Sequence, residues 1–273
     1  MMRCVLAALA VLLVTPAGAQ EATAPGAWAE MLGARVRLVP GDPASASVWR
    51  AGFDVELQDG WKTYWRVPGD SGVPPIFDWS RSKNLAKVSV LWPAPITFPD
   101  GAGVSIGYEH HVVLPIHLHP VDPAKPVELV AKIDFAVCEK ICVPAQAELS
   151  LTLDGGRAPE AHGALVAAHE NRVPRQARIG EEGPVRVEKA VVDTATQPAR
   201  LIVSAVGGEA AELFVEGPHS WFFPPTHATR DAGGRLTFAV PLDGLPADAT
   251  LAGTPLTLTI AAPDGAIEVP FTP

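Results

Sequence analysis

The sequence predicts an all-β protein in which two β-sandwiches are joined by one short helix. Apolar and polar residues alternate in many short runs, which is the pattern of half-buried strands. The 28 prolines and 24 glycines lie between these runs, as expected for turns that connect short strands. A single stretch, from Pro159 to about Arg172, is Ala-rich and without β-branched runs, and Pro174 ends it.

The first predicted domain covers residues 28–155. In the segment from Trp49 to Leu57, Phe53 and Val55 lie on one face and Asp54 and Glu56 on the other, so we expect one buried and one solvent face. Residues 112–118 also alternate, and Pro115 in the middle of this run predicts an edge strand or a bulge there. The predicted strands are 35–39, 49–57, 61–65, 88–92, 112–118, 127–137 and 147–153.

A helical linker, residues 156–180, separates this block from a second β-rich domain at 183–273. Asp264-Gly265 predicts a tight hairpin near the end of the second block. Short strands at this spacing, separated by turn residues, favour a second sandwich. Its predicted strands are 185–192, 200–206, 212–216, 235–241, 256–261 and 266–271.

The first 19 residues have the features of a secretory signal peptide. Arg3 precedes an apolar run from Val5 to Val14, and Ala17-Gly18-Ala19 supplies the small residues that precede cleavage. No later stretch is long and apolar enough for a membrane span, so we expect none in the mature chain. The net charge of −9 argues against nucleic-acid binding, which needs a basic surface.

Two cysteines remain once Cys4 leaves with the signal peptide, and Cys138 and Cys142 can form one intramolecular pair. In an extended strand they would lie about 13 Å apart, too far for a disulfide, so the chain must turn between them if they form one. Such a bond could be an ordinary structural disulfide of a secreted protein. However, so small a ring stabilises by only roughly 2 kcal/mol, which favours a pair that opens and closes.

Several short segments that occur in order between Trp28 and Leu153 carry a family resemblance. They are Asp59-Gly60-Trp61, Tyr64-Trp65-Arg66, Pro68-Gly69-Asp70-Ser71-Gly72, Leu91-Trp92-Pro93-Ala94-Pro95, Gly107-Tyr108, Val112-Val113-Leu114-Pro115 and Cys138-Glu139-Lys140-Ile141-Cys142-Val143-Pro144. Together they resemble the N-terminal periplasmic domain of the DsbD thiol:disulfide interchange family, in particular its ScsB-like branch, which is linked to copper tolerance. The resemblance implies an immunoglobulin-like sandwich whose redox group is a disulfide, with no other cofactor.

The resemblance also implies a role as a protein thiol–disulfide oxidoreductase. Such a domain takes electrons from a thioredoxin-like or membrane-embedded donor protein and passes them to oxidised periplasmic proteins. By position, Cys142 would form the mixed disulfide and Cys138 would resolve it. This sequence has neither the membrane domain nor the thioredoxin domain of full-length members, so we expect it to act as a free-standing periplasmic protein with separate partners.

The resemblance further suggests which residues support the pair. Tyr64 and Trp61 match aromatic positions near the cysteines, although Trp61 equally suits an ordinary core position. Phe98, in the loop up to Gly101, is the candidate for a cap over the pair. Lys140 would favour a neighbouring thiolate and Glu139 would oppose it, because opposite charges stabilise and like charges destabilise an anion.

A cluster of histidines offers an alternative function. His117 and His119 would share one face of a strand about 7 Å apart, and could bind copper together with the thiolates. The alternatives to an exchange protein are therefore a periplasmic copper-binding protein and a structural adaptor with an inert disulfide. The sequence contains no nucleotide-binding glycine loop, nucleophile elbow or HExxH motif, which argues against hydrolase chemistry.

Overall fold

The computed structural model describes residues 26–69, 72–100, 103–208 and 210–273. The predicted signal peptide, Cys4 and residue 101 of the predicted cap lie outside these ranges. The described chain forms two β-sandwiches and one helix, so the predicted all-β class with an immunoglobulin-like first domain is confirmed. The helix in these described ranges is not long and apolar enough to cross a membrane.

The first sandwich consists of two mainly antiparallel sheets. Its strands are β1 Ala29–Met31, β2 Ala34–Ser45, β3 Val48–Leu57, β4 Lys62–Gly69, β5 Ile76–Asp78, β6 Leu85–Val90, β7 Ile96–Asp100, β8 Gly103–Glu109, β9 His111–Pro120, β10 Val127–Cys138 and β11 Cys142–Leu153. One sheet has the order β1-β2-β3-β9-β6, and the other has the order β11-β10-β4-β8-β7 with β5 beside β10. Their facing side chains, such as Phe53, Leu114 and Leu129, form one buried core.

The position of Pro115 differs from the sequence prediction. Strand β9 lies between β3 and β6 rather than at an edge, and its register with β3 continues through Gly52↔Pro115 without a bulge. Strand β6 ends at Val90, opposite Ile116. The carbonyl oxygen of Pro115 still accepts a hydrogen bond from the Leu91 N–H at 2.7 Å. A central strand tolerates this proline because its regular neighbour stops one residue before it.

The helix α1, Glu160–Glu170, packs against the outer face of the first sheet. Val166 lies in an apolar cluster with Val39 and Val113, which point away from the sandwich core. The predicted helical linker is thus a covering layer on the first domain. It explains why Asp54, which we expected on a solvent face, is fully buried.

The second sandwich follows the helix. Its strands are β12 Arg175–Gln176, β13 Arg186–Asp193, β14 Arg200–Val206, β15 Glu212–Glu216, β16 Thr226–His227, β17 Thr229–Arg230, β18 Leu236–Pro241, β19 Leu256–Ala262 and β20 Gly265–Phe271. Its two sheets have the orders β12-β20-β19-β15-β16 and β13-β14-β18-β17. Residues such as Val203, Phe238 and Leu258 form its separate core.

Candidate redox site

The two cysteines close the end of a long β-hairpin. Strands β10 and β11 pair without a register shift from Val127↔Leu153 to Cys138↔Cys142. Residues 139–141 form the turn, as the sequence predicted. The cysteines are free thiols with their Sγ atoms 2.7 Å apart. Directly opposed residues of an antiparallel pair have the Cα separation that a disulfide requires, so this arrangement suits both a dithiol and a disulfide.

The two thiols differ in their exposure to solvent. Cys138 is 2% exposed, whereas Cys142 is only partly buried and follows Ile141, which is 76% exposed at the tip of the turn. This difference follows from the alternation of β10, in which Phe135 and Val137 point into the sandwich core and Cys138 points to the outer face. A partner's disulfide can therefore reach Cys142 more readily than Cys138.

A separate small cluster of side chains covers the buried thiol on the outer face of the second sheet. It contains Tyr64 from β4, Phe98 from β7, and Ala136 and Cys138 from β10, with Cys142 at its margin. The rings of Tyr64 and Phe98 are buried, with centroids 6.3 Å apart. Phe98 therefore lies over the thiol, but on strand β7 and not in the loop that we predicted for the cap.

Tyr64 contacts the exposed thiol directly. Its hydroxyl lies 2.9 Å from the Cys142 Sγ, within the distance of a hydrogen bond to sulfur. Strand β4 is held beside the cysteines because the Thr63 hydroxyl donates a hydrogen bond of 3.0 Å to the Ala136 carbonyl oxygen. A phenolic hydroxyl donating to sulfur would stabilise the thiolate that nucleophilic attack requires.

Two glycines allow the chain to approach Tyr64 closely. Gly107 on β8 pairs with Tyr64, and a Cβ atom there would lie 2.0 Å from the Thr63 carbonyl oxygen. A Cβ atom on Gly72 would lie 2.5 Å from Cδ1 of the Tyr64 ring. Both contacts are far below normal van der Waals separation, so only glycine fits these positions without displacing Tyr64 or its strand.

Lys62 belongs to the site but was not singled out from the sequence. It lies directly opposite Cys138 in the β4–β10 register. Its Nζ sits 4.8 Å from the centroid of the Phe98 ring and 3.8 Å from a carboxylate oxygen of Glu109. The sequence could have indicated that Lys62 lies near the thiols, because residues two apart on a strand share a face and Lys62 precedes Tyr64 by two.

The other predicted supporting residues are not part of the covering cluster. Trp61 packs against the main core, and a Cβ atom on Gly33 would lie 2.1 Å from its ring. Glu139 and Lys140 are exposed on the turn between the cysteines. The structure therefore brings Tyr64 and Phe98 to the dithiol and places Trp61 in the packing of the first domain.

The two histidines considered for copper lie in the other sheet of the first sandwich. His117 on β9 forms a 2.9 Å contact between its Nε2 and a carboxylate oxygen of Glu170 in α1. His119 pairs with Lys87 of β6. Within the described ranges, no group of three or more His, Cys, Asp or Glu side chains is placed to hold a metal ion. The structure thus gathers the thiols with aromatic residues and not with these histidines.

A β-sandwich that carries two facing thiols at the end of a hairpin defines a candidate thiol–disulfide exchange domain. Residues 35–154 match the family described as thiol:disulfide interchange protein DsbD, N-terminal. This match confirms the resemblance that the sequence motifs predicted.

A solved structure shares the fold over nearly the whole chain. It is the N-terminal periplasmic domain of ScsB from Proteus mirabilis, with a TM-score of 0.71 and 23% sequence identity. The alignment covers 90% of this chain and 97% of that one, so the likeness extends over both sandwiches. The comparison with curated proteins gives no match.

Proposed function

We propose that the chain is a periplasmic protein thiol–disulfide oxidoreductase that relays reducing equivalents through Cys138 and Cys142. The observation that carries this proposal is the pairing of one buried and one partly exposed thiol, 2.7 Å apart, beneath Tyr64 and Phe98. The match of residues 35–154 to the DsbD N-terminal family supports exchange chemistry. The donor would be a thioredoxin-like or membrane-bound dithiol protein, and the acceptors would be oxidised periplasmic proteins.

The exchange follows two balanced steps. The Cys142 thiolate attacks one sulfur of the partner's disulfide, forms a mixed disulfide and releases the partner's other sulfur as a thiolate. The Cys138 thiolate then attacks Cys142 Sγ, which breaks the mixed disulfide and releases the second partner thiolate. The partner gains two electrons and two protons, and the chain is left with a Cys138–Cys142 disulfide. A donor dithiol restores the reduced pair by the reverse sequence.

The equilibrium reduction potential of the pair tests this proposal. Thiol trapping in glutathione or dithiothreitol buffers should give a value between about −120 and −270 mV, the range of exchange-active dithiols. A value below about −300 mV would mark an inert structural bond and would overturn the relay. Within the expected range, Cys138→Ala should accumulate mixed disulfides with partners, whereas Cys142→Ala should not.

The copper-binding alternative has its own measurement. Reduced protein would be titrated with Cu(I) beside a His117→Gln/His119→Gln variant. A copper site that uses both thiols and these histidines requires the variant to bind more weakly than the parent protein. Equal binding, or none, would leave the histidines without a role in copper binding and would favour exchange.

A further inference from the structure

The second sandwich turns one face of its strand β15 toward the first domain. Leu213 and Val215 point into the core of the second sandwich. The alternate residues, Glu212, Phe214 and Glu216, each contact the first sandwich, and Phe214 is buried in the core of that domain. This alternation is that of a strand packed on both faces, so β15 connects the two hydrophobic cores.

Several of these contacts involve strand β4, at the two residues that follow Tyr64. Trp65 packs against Phe214 with ring centroids 5.6 Å apart. Arg66 forms ion pairs with Glu216, at 2.6 Å, and with Glu268 of β20, and its guanidinium lies 4.4 Å from the Trp65 ring centroid. Tyr64, the neighbour of this anchored pair, contacts Cys142.

The same face of the second domain also holds the strand that covers the buried thiol. The Thr97 hydroxyl donates a 2.5 Å hydrogen bond to a carboxylate oxygen of Glu212. Thr97 precedes Phe98, whose ring lies over Cys138 and Tyr64. Both residues that shield the dithiol are therefore adjacent to residues that the second sandwich anchors.

We propose that the second sandwich is a positioning module, which holds β4 and β7 so that Tyr64 and Phe98 control access to the Cys138–Cys142 pair. This inference assigns a role to residues 183–273 and deepens the proposed function. Arg66 and Thr97 act as positioning residues, since neither is part of the cluster around the sulfurs. Loosening their contacts increases the fraction of molecules in which the cover is displaced, and thiol reactivity rises with that fraction.

The rate of alkylation of the buried Cys138 thiol in the reduced protein, with both sandwiches present, tests this role. Iodoacetamide would be used in a Cys142→Ala background, so that only the covered thiol reports. Thr97→Val removes the bond to Glu212 while keeping the side-chain shape, and Phe214→Leu weakens the packing on Trp65. Each should raise the alkylation rate by about threefold or more, because the cover opens more often.

The matched control is Ile260→Val, which removes one methylene from the core of the second sandwich on the face turned away from the first domain. Its alkylation rate should equal that of the parent. Unchanged rates in folded Thr97→Val and Phe214→Leu, or an equal rise in Ile260→Val, would overturn the positioning role. If Phe214→Leu fails to fold, Thr97→Val decides alone.

Alkylation needs no protein partner and no particular reduction potential. A failure of the relay proposal would therefore leave this result interpretable, and the reverse also holds. The two proposals fail separately, because one concerns the equilibrium of the pair and the other concerns access to it.

Discussion

At the residue scale, the hydroxyl of Tyr64 lies within hydrogen-bond distance of the Cys142 sulfur. Tyr64→Phe keeps the covering ring and removes the hydrogen bond to sulfur. We expect the rate of attack on a small model disulfide to fall about three- to tenfold, the loss of roughly one hydrogen bond. Stopped-flow measurement of exchange with the reduced protein checks this.

Tyr108→Phe provides the matched control for this substitution. Tyr108 is also buried, and its hydroxyl donates a 2.8 Å hydrogen bond to the Pro93 carbonyl oxygen, outside the covering cluster. Burial raises the pKa of Tyr108 well above its ordinary value, so it stays a neutral donor. Tyr108→Phe should lower stability and leave the exchange rate unchanged; equal loss of rate in both variants would contradict a specific role for Tyr64.

The unequal exposure of the two cysteines predicts unequal reactivity. In the reduced protein, the single thiol of Cys138→Ala should react with iodoacetamide at least about tenfold faster than the single thiol of Cys142→Ala, since buried thiols react mainly through local opening. Mass spectrometry of timed samples measures both rates. Comparable rates would show that Cys138 is as accessible as Cys142 and would remove the structural reason for their different roles.

At the element scale, helix α1 joins the first domain through a buried histidine. The His169 ring donates from Nδ1 to the Leu165 carbonyl oxygen at 3.1 Å and lies edge-on to His111, with centroids 5.3 Å apart. Burial, with smaller contributions from the nearby Arg172 and His111 charges, lowers the pKa of His169 below its ordinary value, and the Leu165 carbonyl and buried Asp54 oppose this only in part.

This lowered pKa predicts that helix docking weakens in acid. The unfolded chain takes up a proton near pH 6.5 while the folded chain resists it, so stability is full above that pH and falls as the pH drops below it. Between pH 7.5 and 5.0 the melting temperature should fall a few degrees less in His169→Gln than in the parent protein. His219 is exposed, so His219→Gln should show the same fall in melting temperature as the parent protein. The same fall in His169→Gln would show that His169 does not cause the loss of stability in acid.

At the scale of the whole molecule, Arg66 connects the two sandwiches through two carboxylates. Burial alone would lower the pKa of this guanidinium, but the hydrogen bonds and charges of Glu216 and Glu268 outweigh it and raise the pKa, so Arg66 stays charged. Arg66→Met would leave the two carboxylates partly buried without their cation. We expect the free energy of unfolding to fall by about 1–3 kcal/mol, measured by urea denaturation.

The triple variant Arg66→Met/Glu216→Gln/Glu268→Gln separates charge imbalance from lost packing. Because it removes the uncompensated carboxylates together with the cation, it should recover part of the stability lost in Arg66→Met. A triple variant less stable than Arg66→Met would show that the carboxylates stabilise the protein by contacts other than the ion pairs to Arg66.

The sequence alone determined the local features of this protein. Alternation located most strands, the Ala-rich stretch located the helix, and the spacing of Cys138 and Cys142 required the turn that the structure contains. These features depend on neighbours within a few residues, and backbone geometry makes such patterns repeat every two or 3.6 positions. The order of the short motifs between Trp28 and Leu153 also predicted the family whose model residues 35–154 match.

Only the tertiary structure decided which side chains meet across long stretches of chain. Tyr64 approaches Cys142 because β4 pairs with β10, and Asp54 is buried because a distant helix covers its face. His117 meets Glu170 for the same reason. Phe214 and Trp65 belong to different domains, and the alternation within either strand does not predict that they meet. Strand periodicity states which residues share a face, whereas pairing and packing between distant segments determine what that face touches.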